Sequence, residues 1–160
     1  TLLPGADVEL DELGDAMAQL AVAAQGRDLA QLEQEYNDLF IGVGKGEVVP
    51  YGSWHLTGFL MEQPLSDLRD DLRALGFERS EDTHEPEDHA AAIFEVFSVM
   101  ILESYSLSQQ QVFFKTHMQA WLGTFFSDLG SARSADFYQH VARFGVAFLK
   151  LESAYLSMHS

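Results

Sequence analysis

The 160-residue sequence contains no cysteine, and that absence removes disulfides, thiolate metal sites and cysteine nucleophiles together. It suits a reducing compartment, and the cytoplasm is the expected location. Proline occurs only four times, and sustained alternation of apolar and polar residues is lacking as well. Helices are left as the dominant element. Long hydrophobic runs are also missing: a membrane span needs roughly 18 to 20 apolar residues, and the longest candidate, Ala90 to Leu102, contains Glu95. No stable membrane insertion is expected. Thr1-Leu2-Leu3-Pro4 is too short, and lacks the basic start, to act as a signal peptide.

Positive charge is the scarcest resource. Nine Lys and Arg oppose 25 Asp and Glu, for a formal net charge of -16. The imbalance is lopsided: before Ser106 only Arg27, Lys45, Arg69, Arg73 and Arg79 oppose the acids, whereas after it Asp128, Asp136 and Glu152 face Lys115, Arg133, Arg143 and Lys150. Such a field repels nucleic-acid phosphates and anionic headgroups and speeds the approach of a basic partner. Nucleic acid is therefore excluded as a partner class.

What is present is helical spacing. Asp7 can cap a helix carrying Leu10, Leu13, Met17 and Leu20 and ending near Gly26, and Asp28 can cap the next, with Leu29, Leu32, Tyr36 and Leu39 before Gly42. The glycine-rich stretch from Gly42 to Ser53 suits an irregular, exposed and mobile loop. It is not a phosphate loop, because Leu39 and Gly46 stand where Walker A needs Gly and Ser or Thr. Pro64 can open a helix with Leu65, Leu68, Leu72 and Leu75 inward, ended by Gly76, and the polar stretch Glu78 to His84 reads as a connector. Ser108 and Gln111 form a capping-box pattern for a helix carrying Phe114, Met118, Trp121, Leu122, Phe125 and Leu129. Ser134 starts the last, with Phe137, Val141, Phe144, Phe148, Leu151 and Tyr155 nearly in heptad register. The expectation is an all-α, single-domain bundle of six or seven helices over residues 1–160.

Glu85-Pro86-Glu87-Asp88-His89 is the most informative stretch, an acidic helix start that opens into an apolar run. Proline at a first helical position loses no hydrogen bond, and Glu87 and Asp88 sit where a helix dipole favours negative charge. A central helix is expected from Pro86 to about Ser104, apolar around most of its circumference as a surrounded helix must be. Catalysis finds little support. His84 and His89 are five apart with Pro86 between them, a poor zinc pair. His117 and His140 read as core or boundary histidines; Met17, Met61, Met100 and Met118 read as core fillers, and Phe113, Phe114, Trp121, Phe125 and Phe126 as core aromatics. No enzyme, metal or cofactor is expected.

A second motif precedes the first by about thirty-five residues: Tyr36-Asn37-Asp38-Leu39-Phe40-Ile41-Gly42, a glycine-rich loop, and Pro50-Tyr51-Gly52-Ser53-Trp54. With Glu85-Pro86-Glu87-Asp88-His89, and with the aromatic pattern of Phe114 to His117, Trp121 and Phe137-Tyr138, this order resembles the TorD/DmsD/NarJ family of cytoplasmic molybdoenzyme maturation chaperones. Members usually carry another helix before the segment that begins here at Thr1, so the expected domain lacks that helix. The resemblance implies binding of the twin-arginine signal peptide of a molybdoenzyme precursor, help with cofactor insertion, and export delayed until folding is complete. It implies a peptide-binding site made of Tyr51, Gly52, Trp54, Glu85, Pro86, Asp88 and His89. There Asp88 and Glu85 pair with arginines, Trp54 and Tyr51 make apolar contact, His89 positions the site and Pro86 fixes the turn. An assembly factor for a membrane-anchored reductase, binding a segment without twin arginines, is the alternative within the fold. A small-ligand or nucleotide-binding protein is the alternative from another class. Relatives exist as monomers and as helix-exchanging dimers, and the connectors at Glu78 to His84 and Tyr105 to Ser108 would permit a domain-swapped homodimer.

Overall fold

In the computed structural model, which describes residues 4–42, 46–78 and 85–158, the described residues form eight α-helices and two π-helical segments and contain no strand. The all-α class follows from the sequence; the larger helix count arises mainly because the helix expected from Ser108 is broken in two. The chain divides into two compact units, residues 1–49 with 123–160 and residues 50–122.

In the first unit, α1 (Pro4–Ala24) lies along α8 (Tyr138–Ser157), and Lys150 reaches Glu12 at 2.7 Å. Helix α1 begins before Asp7, which therefore lies inside it and not at its cap. Small residues set the packing of α8: Ala142, Gly145 and Ala147 are its buried positions together with Leu156, while Tyr155 of the expected apolar stripe is exposed. The reason is visible at Gly145, where an added Cβ would come within 2.3 Å of Cζ of Phe126 in α7 (Leu122–Ser131). Only hydrogen fits there.

Helix α2 (Leu29–Tyr36) is capped as expected by Asp28, whose Oδ1 accepts from Ala30 N–H at 3.1 Å. It runs directly into the π segment Asn37–Ile41, and Gly42 follows at φ 53°, a left-handed value that favours glycine. Glu35 is buried, and its carboxylate accepts the N–H groups of Asp136, Phe137 and Tyr138 at 2.8, 3.1 and 2.8 Å. This long-range cap explains why α8 starts at Tyr138 and not at Ser134. Glu47 accepts from Arg133 N–H and Ser134 N–H in the same loop, and those bonds hold its carboxyl below the ordinary glutamate range. The loop expected to be exposed and mobile is instead buried at Gly46, Val48 and Pro50. Val48 N–H bonds to Leu39 O at 2.8 Å, and a Cβ on Gly46 would meet that same oxygen at 2.4 Å. Residues 43–45 lie outside the described residues.

The second unit holds α3 (Gly52–Thr57), α4 (Gln63–Ala74), α5 (Ala90–Leu102), α6 (Leu107–Phe113) and the π segment Phe114–Gln119. Helix α4 buries Leu65, Leu68 and Leu72 and ends at Ala74, with Gly76 turning the chain just beyond it at φ 87°, much as its sequence requires. Helix α5 buries Ile93, Phe97 and Met100, but Ile101 and Leu102 are exposed, so its apolar residues are not all enclosed. The capping box forms two residues earlier than expected, at Ser106 and Gln109. Ser104, at φ 59°, turns the chain there, and the Tyr105 hydroxyl donates to Leu75 O at 2.9 Å. In and beside the π segment Phe113, Phe114, His117, Met118 and Trp121 are buried, and Trp121 Nε1–H closes on His117 O at 2.7 Å. Met100 and Met118 are core residues as expected; Met17 and Met61 are exposed. The connector at 79–84 lies outside the described residues.

Candidate functional site

The two sequence motifs meet within the second unit. Tyr51 and His89 form an isolated antiparallel bridge: Gly52 N–H donates to Asp88 O at 2.9 Å and Ala90 N–H donates to Pro50 O at 2.9 Å. Each turn therefore satisfies backbone groups of the other, which neither could do alone. Gly52 lies close under Trp121 at this crossing: a Cβ would stand 3.1 Å from the indole, itself anchored through His117, so the ring would have to give by a few tenths of an ångström.

Asp88 completes the joint. It is 4% exposed, and its Oδ2 accepts from the N–H of Ser53, which is 0% exposed, at 2.8 Å. A carboxylate expected to face a ligand's arginine is thus engaged inside, satisfying an N-terminal N–H of α3. Its Oδ1 is buried without a hydrogen-bond partner. The Ser53 hydroxyl accepts in turn from Met61 N–H at 3.2 Å, which ties the chain beyond α3 to the same point.

This joint also corrects the expected helix start. The bridge to Tyr51 holds His89 extended, at φ -65° and ψ 137°, so helical geometry begins only at Ala90. Pro86 lies before the helix, and its carbonyl accepts from His89 N–H at 3.2 Å. His89 is the N-cap, its Nδ1 accepting from Ala91 N–H at 3.1 Å. Burial lowers the His89 pKa below its ordinary value against the opposing pull of Glu85 and Asp88, which favours the neutral ring that can accept this bond.

The surface of the joint carries the remaining groups. Tyr51 Oη–H donates to Glu85, and the Tyr51 and His89 rings meet edge to face at 5.2 Å. Trp54, next to Ser53, is half-buried, and His55 stacks on Trp121 at 5.5 Å. Of the seven residues expected to form the site, Tyr51, Gly52, Glu85, Pro86, Asp88 and His89 share one bonded cluster, with Trp54 placed beside it by the chain.

Three participants escaped the sequence reading. Ser53 sits inside a quoted motif but gave no sign that its N–H would be the buried anchor. Glu87 and Arg69 form an ion pair, with Arg69 Nε 2.9 Å and Nη2 2.8 Å from the same Glu87 oxygen. Nothing in the sequence links α4 to the turn 18 residues later. The pair stands on the wall of an open cavity of 750 Å³ that also takes in Glu85, Leu72, Val96 and Val99. The arrangement presents carboxylates beside apolar surface, which suits a ligand both basic and apolar. Among the described residues, no group of three His, Asp or Glu is arranged to hold a metal, and no helix is long and apolar enough to cross a membrane.

Comparison with known proteins places the whole chain in a family. A family profile described as nitrate reductase delta subunit matches residues 6–127. The chain is 30% identical over 161 residues to a protein named chaperone protein TorD from Vibrio parahaemolyticus serotype O3:K6, covering 92% of this chain and 73% of the relative. Proteins of the same name from Vibrio atlanticus and Aliivibrio fischeri are 28% and 29% identical, covering 92% and 93% of this chain and 74% and 76% of the relatives.

Proposed function

The chain belongs to the NarJ/TorD family, and from that premise we propose that it is a cytoplasmic molybdoenzyme maturation chaperone that binds the twin-arginine leader of its client and catalyses no reaction. Binding delays export while the client acquires its cofactor and folds. One observation supports this reading above the others: the joint of Tyr51 with His89 and of Ser53 with Asp88 fixes aromatic and carboxylate groups from two distant motifs in one surface.

The physical match is to a peptide with a basic start and an apolar middle. Glu85 is exposed and accepts guanidinium groups; Tyr51 and Trp54 offer ring faces to the apolar part. Asp88 acts from within, holding both turns in register, while Gly52 and Pro86 shape the crossing and His89 caps the helix behind it. The net charge of -16 draws the basic leader toward the chain.

Titration calorimetry with a peptide of this type tests the proposal. Replacing its two arginines by lysines should weaken binding by about tenfold or more, because lysine cannot reproduce the planar fork of hydrogen bonds. Trp54→Ala with Glu85→Ala should weaken it comparably with the helical content unchanged. Binding indifferent to the lysine swap would favour the assembly-factor reading instead.

A further inference from the structure

Resting on the leader-binding reading above, we infer that Arg69 is a built-in stand-in for the client's arginine: it occupies Glu87, the acceptor that the incoming guanidinium takes when the leader binds. The three acids of the turn are in different situations. Asp88 is sealed inside and committed to Ser53. Glu85 is bonded to the neutral hydroxyl of Tyr51. Glu87 alone among them already holds a guanidinium, through both Nε and Nη2.

The pair is placed where exchange is feasible. Arg69 is 40% exposed and Glu87 17% exposed, and both stand on the wall of the 750 Å³ cavity, whose apolar side includes Leu72, Val96 and Val99. A partly hydrated ion pair of this kind contributes little net stability, so trading one guanidinium for another is nearly balanced. The leader then supplies what Arg69 cannot: apolar side chains next to its arginine, which cover Val96 and Val99 as the charge docks. Arg69 thus screens the site from weak cationic ligands, since a lone ammonium must displace a forked guanidinium without any apolar gain.

Arg69→Ala, and Arg69→Met to preserve the apolar stem, are the test, with the twin-arginine peptide as probe and circular dichroism to confirm folding. Removing the competitor should raise peptide affinity by about three- to tenfold. Glu87→Gln should lower affinity, and in Glu87→Gln the further change Arg69→Ala should bring no gain. In the unsubstituted protein, the Arg69 Nε–H resonance should move on adding peptide from a bonded to a solvent-exchanging position. If the unsubstituted protein binds the peptide but neither Arg69 variant binds more tightly, or the resonance stays put, the stand-in role is wrong while the leader-binding reading survives. If neither the unsubstituted protein nor the Arg69 variants bind, the leader-binding reading itself fails.

Discussion

Asp88→Ala is the most revealing single substitution. It removes the acceptor of the Ser53 N–H, a residue fully buried from water. A buried donor left unsatisfied costs about 1 to 3 kcal/mol, and a hydrogen bond to a charged group falls in the upper part of the usual range. Against this stands a gain, because the wild-type carboxylate is desolvated and its Oδ1 has no partner. The main-chain bonds from Gly52 to Asp88 O and from Ala90 to Pro50 O do not use the side chain, so they limit the loss without replacing the anchor on Ser53. The net expectation is a loss of about 2 kcal/mol for Asp88→Ala and about 1 kcal/mol for Asp88→Asn, which keeps an acceptor for Ser53 but buries an amide donor. Urea unfolding followed by circular dichroism reads both as shifts of the midpoint at constant slope. Peptide binding should fall with Asp88→Ala even where the protein is folded, since Tyr51 and Glu85 lose their common register. A midpoint equal to that of the unsubstituted chain would refute the view that this carboxylate holds the two turns together.

Other elements make their own predictions. Glu35→Ala strands three N–H groups at the start of α8 and should cost about 2 to 4 kcal/mol in the same unfolding assay, with Glu35→Gln recovering part of it. Gly145→Ala drives a methyl into the Phe126 ring and should destabilise by about 1 to 3 kcal/mol, read by thermal unfolding. His89 is neutral when it caps α5, and its pKa is depressed in the folded state, so the unfolded chain binds more protons just below pH 6.5. Its stabilising contribution is complete above pH 6.5 and is lost as pH falls through the lower folded value; His89→Asn, which keeps a capping oxygen, should flatten that part of the stability-pH curve.

How far the fold was legible depends on how local its causes are. Asp28, Gly42, Gly76 and the Leu65, Leu68, Leu72 stripe act within a turn or two of themselves, and the chain does there what its spacing says. Helix ends set from afar leave no trace in local spacing. Glu35 reaches 101 residues along the chain to start α8, and the bridge from Tyr51 postpones α5 past Pro86 to Ala90. The break of the long aromatic helix into a π segment between α6 and α7 leaves the apolar pattern intact, so periodicity could not reveal it. At the site, motif order brought into view six residues that the fold joins in one cluster, but not their division of labour. Asp88 looks from sequence like surface charge; only the geometry shows it turned inward, with Glu87 holding an arginine from α4.

Whether the joined turns are the leader-binding surface is read by chemical-shift mapping of the labelled protein during titration with a twin-arginine leader peptide. Saturable changes should concentrate at Tyr51, the Trp54 indole and residues 85–89, all following one binding curve. Saturable binding with those signals unmoved, or with changes confined to α1 and α8, would contradict that placement of the site.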